Sequence, residues 1–230
     1  MTSEKRVRDH VKFGTPKDVS AHLLDACSRF EHLADQIWGK TRLEEAARIF
    51  PNMLRCIVRQ LRILDASEQI PIEAAAAACR TVFELNVRTR LMTAHPDRIK
   101  EFWVERVFEE ISLLEAFKRL SDPDTSGETL KPVDHRIQEL RRYLSKWKLA
   151  KPATESLFKM AELAGVAEEY KALYGFYSKY THGTAWLVNA RDGERDGEGY
   201  RTILLVQTQL YAFDTYKRIE DFVRERESGA

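Results

Sequence analysis

The feature that most constrains this chain is a pair of apolar stripes near its N-terminus. Val19, Leu23, Ala26, Phe30, Leu33 and Ile37 recur at spacings that alternate between four and three. Leu43, Ala47, Phe50, Leu54, Ile57, Leu61 and Leu64 repeat the same alternation. On a helix of 3.6 residues per turn each set falls on one face; on a strand it would scatter over both. Thr15-Pro16 supplies a capping side chain and a proline at the first helical position, and Gly39 ends the first helix. Thr41 and Glu44 have capping-box spacing for the second. Pro51 interrupts the second stripe without changing its phase, so a kink or brief break is expected, not a reversal. Two such stripes joined by a short glycine-containing connection predict a long antiparallel helical hairpin.

The rest of the chain continues the helical pattern. Pro71 opens a third helix, alanine-rich over 74–78, which His95-Pro96 stops near Thr93. Asp97 can cap a fourth helix carrying Ile99, Phe102, Trp103, Val107, Ile111, Leu114 and Phe117. A fifth is expected on Val133, Ile137, Leu140, Leu144 and Trp147. A short sixth helix follows Pro152, and a seventh runs from about Val166 to His182. The last covers Thr202 to about Arg226, although 202–208 could instead pass for a strand. The prediction is one all-α domain over 1–230, a bundle of about seven to eight helices. Residues 1–14 are expected to be a flexible N-terminus, and 121–132 and 189–199 to be loops.

Composition narrows the function classes. With 43% hydrophobic and 32% charged residues the chain is in the ordinary globular range, and 230 residues suffice for a sizeable core. The 37 basic and 36 acidic residues nearly cancel, so any attraction to nucleic acid must be local. Cys27, Cys56 and Cys79 lie far apart among apolar residues and are expected to be reduced core thiols of a cytoplasmic protein. No apolar run spans a bilayer, the first residues have no signal-peptide core, and no histidine–carboxylate grouping has metal-site spacing. No cofactor is expected, since a phosphate-binding glycine loop is absent.

Polar residues at one-turn spacing mark two helices. Arg80, Glu84 and Arg88 share a face of the third, and Tyr174, Ser178 and His182 share a face of the seventh. If the two faces meet, a guanidinium, a carboxylate, a phenol, a hydroxyl and an imidazole converge. Such a group could hold an anion, with His182 exchanging a proton and Glu84 orienting it. The alternative is a structural network, because Arg–Glu pairs four apart are common on helices and a histidine suits a helix C-terminus.

The segments Arg80-Thr-Val-Phe-Glu84 and Tyr174-Gly-Phe-Tyr-Ser-Lys-Tyr-Thr-His182-Gly183 resemble the two signature helices of a bacterial family of unknown function, number 5677 in its series. The resemblance covers about Pro71 to Gly183. It implies an all-α fold and that Arg80, Glu84, Tyr174, Ser178 and His182 belong together, without naming a reaction. The family in turn looks broadly like the HEPN group of helical bundles. Many of those are metal-independent ribonucleases of toxin and defence systems, whose mark is R-x4–6-H. This chain departs from that mark, since no arginine precedes His182 at those spacings. Arg88 and Arg90 precede His95 suitably, but at a frequency expected by chance.

The resemblance therefore implies RNA binding or cleavage in a stress, defence or mobile-element context. In that reading His182 carries the proton, Arg80 contacts the anion, and Tyr174 and Ser178 donate hydrogen bonds. The alternatives are a non-enzymatic interaction module, forming a homodimer or binding a protein partner, and a nucleotide or small-anion sensor clamped by Arg80 and Arg88. A weaker nucleic-acid contact is expected over 131–151, where Arg141, Arg142, Lys146 and Lys148 stand near Tyr143 and Trp147. Trp147, continuing the fifth stripe, is expected in the core.

Overall fold

The structure, a computed structural model, describes residues 9–65, 70–121 and 127–228, among which there is no strand. In chain order the helices are α1 (Pro16–Ile37), α2 (Ala46–Asp65), α3 (Ile72–Ala94), α4 (Asp97–Leu120), α5 (Gly127–Lys146) and α6 (Leu157–Leu163). There follow α7, α8 (Ala185–Asn189), α9 (Asp192–Arg195) and α10 (Glu198–Ser228). α7 is composite: Ala167–Glu169, a π-helical turn over Tyr170–Tyr174, then Gly175–Thr181. The chain is all-α, as its periodicity predicts. It divides into two compact units, one of Met1–His95 with Glu155–Ala230, the other of Pro96–Thr154.

In the first unit α1 and α2 form the expected antiparallel hairpin, and every stripe residue is buried. Arg55 pairs with Asp35 and Arg62 with Glu31 along its outer edge. These exposed pairs fix register more than they stabilise. The start of α2 differs from expectation. Thr41–Leu43 forms a 3-10 turn and Glu44 takes a left-handed φ of 48°, so no capping box forms and α2 begins at Ala46. α2 then passes through Pro51 as one helix. Pro51 has no N–H for the Ala47 carbonyl, and Gly39 N–H takes that carbonyl at 3.4 Å.

α3 is the enclosed element of this unit, touched by α2, α6, α7 and α10. Its buried Ala75, Ala76, Ala78 and Cys79 let neighbouring backbones approach closely. α10 runs beside α3 in the same direction: Cys79 meets Leu204 and Thr208, and Asn86 meets Tyr211, Asp214 and Thr215. Leu204, Thr208, Tyr211 and Thr215 are buried at spacings of four, three and four, so 202–208 is helix, not strand. Within the expected flexible N-terminus, residues 1–8 lie outside the described residues, but the segment that follows is tied to α10. Lys12 N–H donates to Gln209 Oε1 at 2.9 Å, Gln209 Nε2 donates back to Lys12 O, and His10 stacks on Phe213.

Three other boundaries move. α6 starts at Leu157, where the Ser156 hydroxyl accepts from Lys159 N–H, and not after Pro152. The expected 189–199 loop holds α9 and the first residues of α10. Of the expected 121–132 loop, residues 122–126 lie outside the described residues, while 127–132 are already the start of α5, whose early turns accommodate Pro132.

The second unit is the α4–α5 pair, packed through Val104, Val107, Ile111, Ile137, Leu140 and Leu144. Trp147 is not in this core, contrary to the stripe reading: it is 59% exposed. α5 ends at Lys146, Lys148 takes a left-handed φ of 49°, and Leu149 N–H bonds Leu144 O at 2.9 Å. The chain thereby folds Leu149 back against the core and leaves the indole outside. No described helix is long and apolar enough to cross a membrane.

Candidate functional site

α3 and α7 pack against each other, so the two polar faces meet. The centre is Arg80. Its Nε donates to Glu84 Oε1 at 2.8 Å, one helical turn along α3. Across the interface one terminal nitrogen donates to Thr181 Oγ1 at 3.2 Å and the other to the Tyr174 hydroxyl. The guanidinium carbon also lies 4.5 Å from the centroid of the Tyr174 ring. Burial alone would lower the Arg80 pKa, but the Glu84 hydrogen bond and charge outweigh it and hold the group above its usual value. Arg80 is therefore a fixed cation, oriented by Glu84 and braced by Tyr174.

His182 completes the group. It is the C-cap of α7, with extended backbone (φ −124°, ψ 152°), and its Nε2 lies 3.4 Å from the Arg80 terminal nitrogen that also bonds Thr181. A guanidinium has no acceptor, so in this geometry Nε2 presents its lone pair and the ring proton resides on Nδ1. The backbone that carries the imidazole is held on both sides. Before it, Tyr180 is buried among Phe176, Trp186 and Tyr200, and burial pushes its hydroxyl up to about 12. After it, the Thr184 side chain caps α8 by accepting from Leu187 N–H. The imidazole itself is exposed. The result is a surface-accessible base beside an immobilised cation.

An aromatic floor lies behind them. Tyr170 stacks on Tyr174 at 4.6 Å, packs on Phe158 and faces Phe83. Burial, then the neighbouring Tyr174, raises the Tyr170 pKa. The π turn over Tyr170–Tyr174 places this stack; such turns insert an extra residue into a helix and recur at functional sites.

Of the predicted residues, Arg80, Glu84, Tyr174 and His182 converge. Glu84 orients the arginine, however, and not the histidine. Ser178 is half-buried and makes no hydrogen bond among the described residues; the hydroxyl that joins the cluster is Thr181, which also donates to Tyr177 O. Thr181 ends a stripe of Tyr170, Tyr174, Tyr177 and Thr181, spaced four, three and four, which is the signal that could have found it. Arg88 stands two turns beyond Arg80, about 12 Å along the helix, and is half-buried. Arg141 pairs with Glu115 at 2.6 Å, while Arg142, Lys146 and Lys148 are exposed and belong to the second unit. Tyr177 is fully buried and its hydroxyl has no hydrogen-bond partner among the described residues, so it does not extend the polar network.

A second polar cluster has no counterpart in the sequence pattern. Asp214 of α10 accepts from Asn86 Nδ2 at 2.8 Å, pairs with Arg90 at 2.9 Å and accepts from Arg218 Nε at 2.8 Å. Asn86 also donates to Thr215 Oγ1 and accepts from Arg90. Asn86 is fully buried and Asp214 nearly so, which makes this the lock between α3 and α10.

Fold and junction together define an all-α protein whose third and seventh helices are joined through an arginine-centred site ending on an exposed histidine. A model of the family of unknown function DUF5677 matches residues 53–199, well over half of the chain, and the protein belongs to that family. The matched span includes α3, α7 and every residue of the junction. No curated protein and no solved structure matches the chain.

Proposed function

We propose that the α3–α7 junction is a phosphodiester site and that the protein binds and cleaves RNA without a metal, in the manner of HEPN-type helical bundles. The setting would be the cytoplasm of a bacterium, in a stress, defence or mobile-element system. The observation that carries this reading is the 3.4 Å approach of His182 Nε2 to the Arg80 guanidinium on an exposed face. The chain has no arginine at the R-x4–6-H spacing before His182, but the fold supplies one from a neighbouring helix.

A phosphate entering between the two groups replaces the weak Arg80–His182 contact with charge-assisted hydrogen bonds from Arg80 to its non-bridging oxygens. His182 Nε2 takes the proton of the ribose 2′-hydroxyl; the O2′–P bond forms and the P–O5′ bond breaks. The 5′-oxygen leaves with a proton from water or from the imidazolium, giving a 2′,3′-cyclic phosphate and a 5′-hydroxyl end. Arg80 stabilises the charge on the pentacoordinate phosphorus and cannot itself serve as base. Thr181, Tyr174 and Glu84 hold the guanidinium in place.

A structural reading competes, favoured by the three hydrogen bonds that already engage Arg80. The sensor reading would need Arg88, whose backbone stands about 12 Å further along α3, to reach an anion held at Arg80. Substitution separates catalysis from structure. His182 is exposed and, among the described residues, its side chain makes only the long contact to Arg80, so His182→Ala and His182→Gln should leave thermal stability within about 1 °C of wild type. They should reduce RNA cleavage at least about a hundredfold. Unchanged cleavage, or no cleavage by the wild-type protein, overturns the proposal.

A further inference from the structure

We propose that the second unit carries a docking surface for single-stranded nucleic acid, formed by Trp103, Tyr143 and Trp147 with Lys146, Lys148 and Arg142. It goes beyond the α3–α7 reading and does not depend on it. Three observations converge.

The first is the exposure of large rings in fixed positions. Trp147 is 59% exposed and Tyr143 38%. Tyr143 is held by its side chain, whose hydroxyl accepts from Trp103 Nε1–H at 3.2 Å and ties α4 to α5, and Trp147 is held by its backbone, whose N–H bonds Tyr143 O at 3.2 Å. Tyr143 and Trp147 are one turn apart, about 6 Å along the helix axis. Rings held open cost little entropy when a flat partner stacks on them.

The second is that each indole carries a cation. Lys146 Nζ lies 5.5 Å from the Trp147 centroid and the Arg106 guanidinium 5.5 Å from that of Trp103. Arg106 is paired with Glu110, so it is at Trp147 that a stacked base finds an uncompensated positive charge at its edge, within reach of its own phosphate.

The third is charge that remains uncompensated. Half of the basic side chains of this unit are spent on neighbours: Arg98 on Glu101, Arg106 on Glu110, Lys118 on Asp134, Lys131 on Glu128, Arg136 on Glu110 and Arg141 on Glu115. Arg142, Lys146 and Lys148 form no ion pair among the described residues, and they cluster where the aromatic rings are. An apolar protein partner would have to bury these three cations, whereas a polyanion with exposed base faces satisfies both features. Duplex bases are already stacked and paired, so the strip selects single strands.

The test uses the full chain and fluorescein-labelled 12-nucleotide oligo(U), oligo(dT) and a duplex of equal length, read by anisotropy. RNA arms are run with the His182→Ala protein so that cleavage does not interfere. Both single strands should bind better than the duplex. Trp147→Ala should weaken binding between about fivefold and a hundredfold, with Trp147→Phe recovering part of the loss. Lys146→Glu with Lys148→Glu should reduce the slope of log affinity against log salt by about 0.7 for each phosphate no longer neutralised. Placed in an Arg80→Ala background, which removes the phosphate contact of the α3–α7 site, Trp147→Ala should still weaken oligo(dT) binding by the same factor, which separates this surface from that site. Wild-type protein that ignores both single strands, Trp147→Ala protein that binds them equally well, or an equal preference for duplex overturns the proposal. Capture of a protein by the same strip in place of the oligonucleotides overturns it too.

Discussion

Asp214 is the residue whose loss tests the packing of α10 on α3 most sharply. Its carboxylate receives Asn86, Arg90 and Arg218 at 2.8, 2.9 and 2.8 Å while being itself 7% exposed. Asp214→Asn preserves shape but removes the charge, leaving two guanidiniums side by side and a fully buried amide with a poorer acceptor. Breaking a buried charged network by removing one partner costs about 3–5 kcal/mol. Arg90 and Arg218 keep 22% and 32% of their side-chain exposure, so water recovers part of that, and about 2–3 kcal/mol is expected here. For a chain of this length each kcal/mol lowers Tm by about 2–4 °C, so Tm should fall by about 4–12 °C. Arg218→Ala is the internal control, since it removes only an outer (i,i+4) pair worth a few tenths of a kcal/mol, a shift of about 1–2 °C. Circular dichroism at 222 nm against temperature and against urea measures both. An Asp214→Asn protein melting within about 2 °C of wild type, or no lower than Arg218→Ala, refutes the claim that this network locks α10 to α3.

Two further outcomes rest on buried titrating groups. Cys79 is fully buried, and burial pushes its thiol up to about 12 despite the hydrogen bond from Thr208; burial also raises Cys27. Since the thiolate is the reactive form, a colorimetric thiol reagent at pH 8 should modify half-exposed Cys56 in the native protein and reach Cys27 and Cys79 only on unfolding; rapid native reaction of all three contradicts their burial. His10, stacked on Phe213 with Arg29, His22 and Lys217 nearby and Asp9 opposing them, has its pKa lowered, chiefly by burial and then by Arg29. A base whose pKa is depressed in the docked state favours docking fully above its undocked value of 6.5 and loses that favour as pH falls below it. Hydrogen exchange of residues 10–13, corrected for intrinsic rate, should therefore accelerate between pH 7.5 and 5.5, and His10→Gln should flatten the dependence; equal protection at both pH values contradicts the reading.

The parts of the fold that periodicity predicts are those where one face decides everything. α1 and α2 have a single apolar stripe each and are buried along it residue for residue. Boundaries depend on local chemistry that spacing does not encode. The Thr41–Glu44 pair has capping-box spacing, but the sharp turn between the helices needs a left-handed residue and Glu44 supplies it. Trp147 continues the α5 stripe in register, but the helix ends one residue earlier and Leu149 takes the core position. In the candidate site, one-turn spacing places Arg80, Glu84, Tyr174 and His182 together. It misassigns Ser178 because the face of α7 that meets α3 follows Tyr174, Tyr177 and Thr181. The Asn86–Asp214 lock is invisible to any local pattern, since its partners lie 128 residues apart and look like surface polar residues on long helices.

Whether Arg80 and His182, brought together from two helices, act as one phosphodiester site is read most directly from the ends that the wild-type protein leaves on a 5′-labelled single-stranded RNA in EDTA. Cleavage should proceed with chelator present and leave 2′,3′-cyclic phosphate and 5′-hydroxyl termini, and either Arg80→Gln or His182→Gln should abolish both products. Cleavage that needs a metal, termini with 3′-hydroxyl and 5′-phosphate, or cleavage by the two variants equal to that of wild type would contradict it.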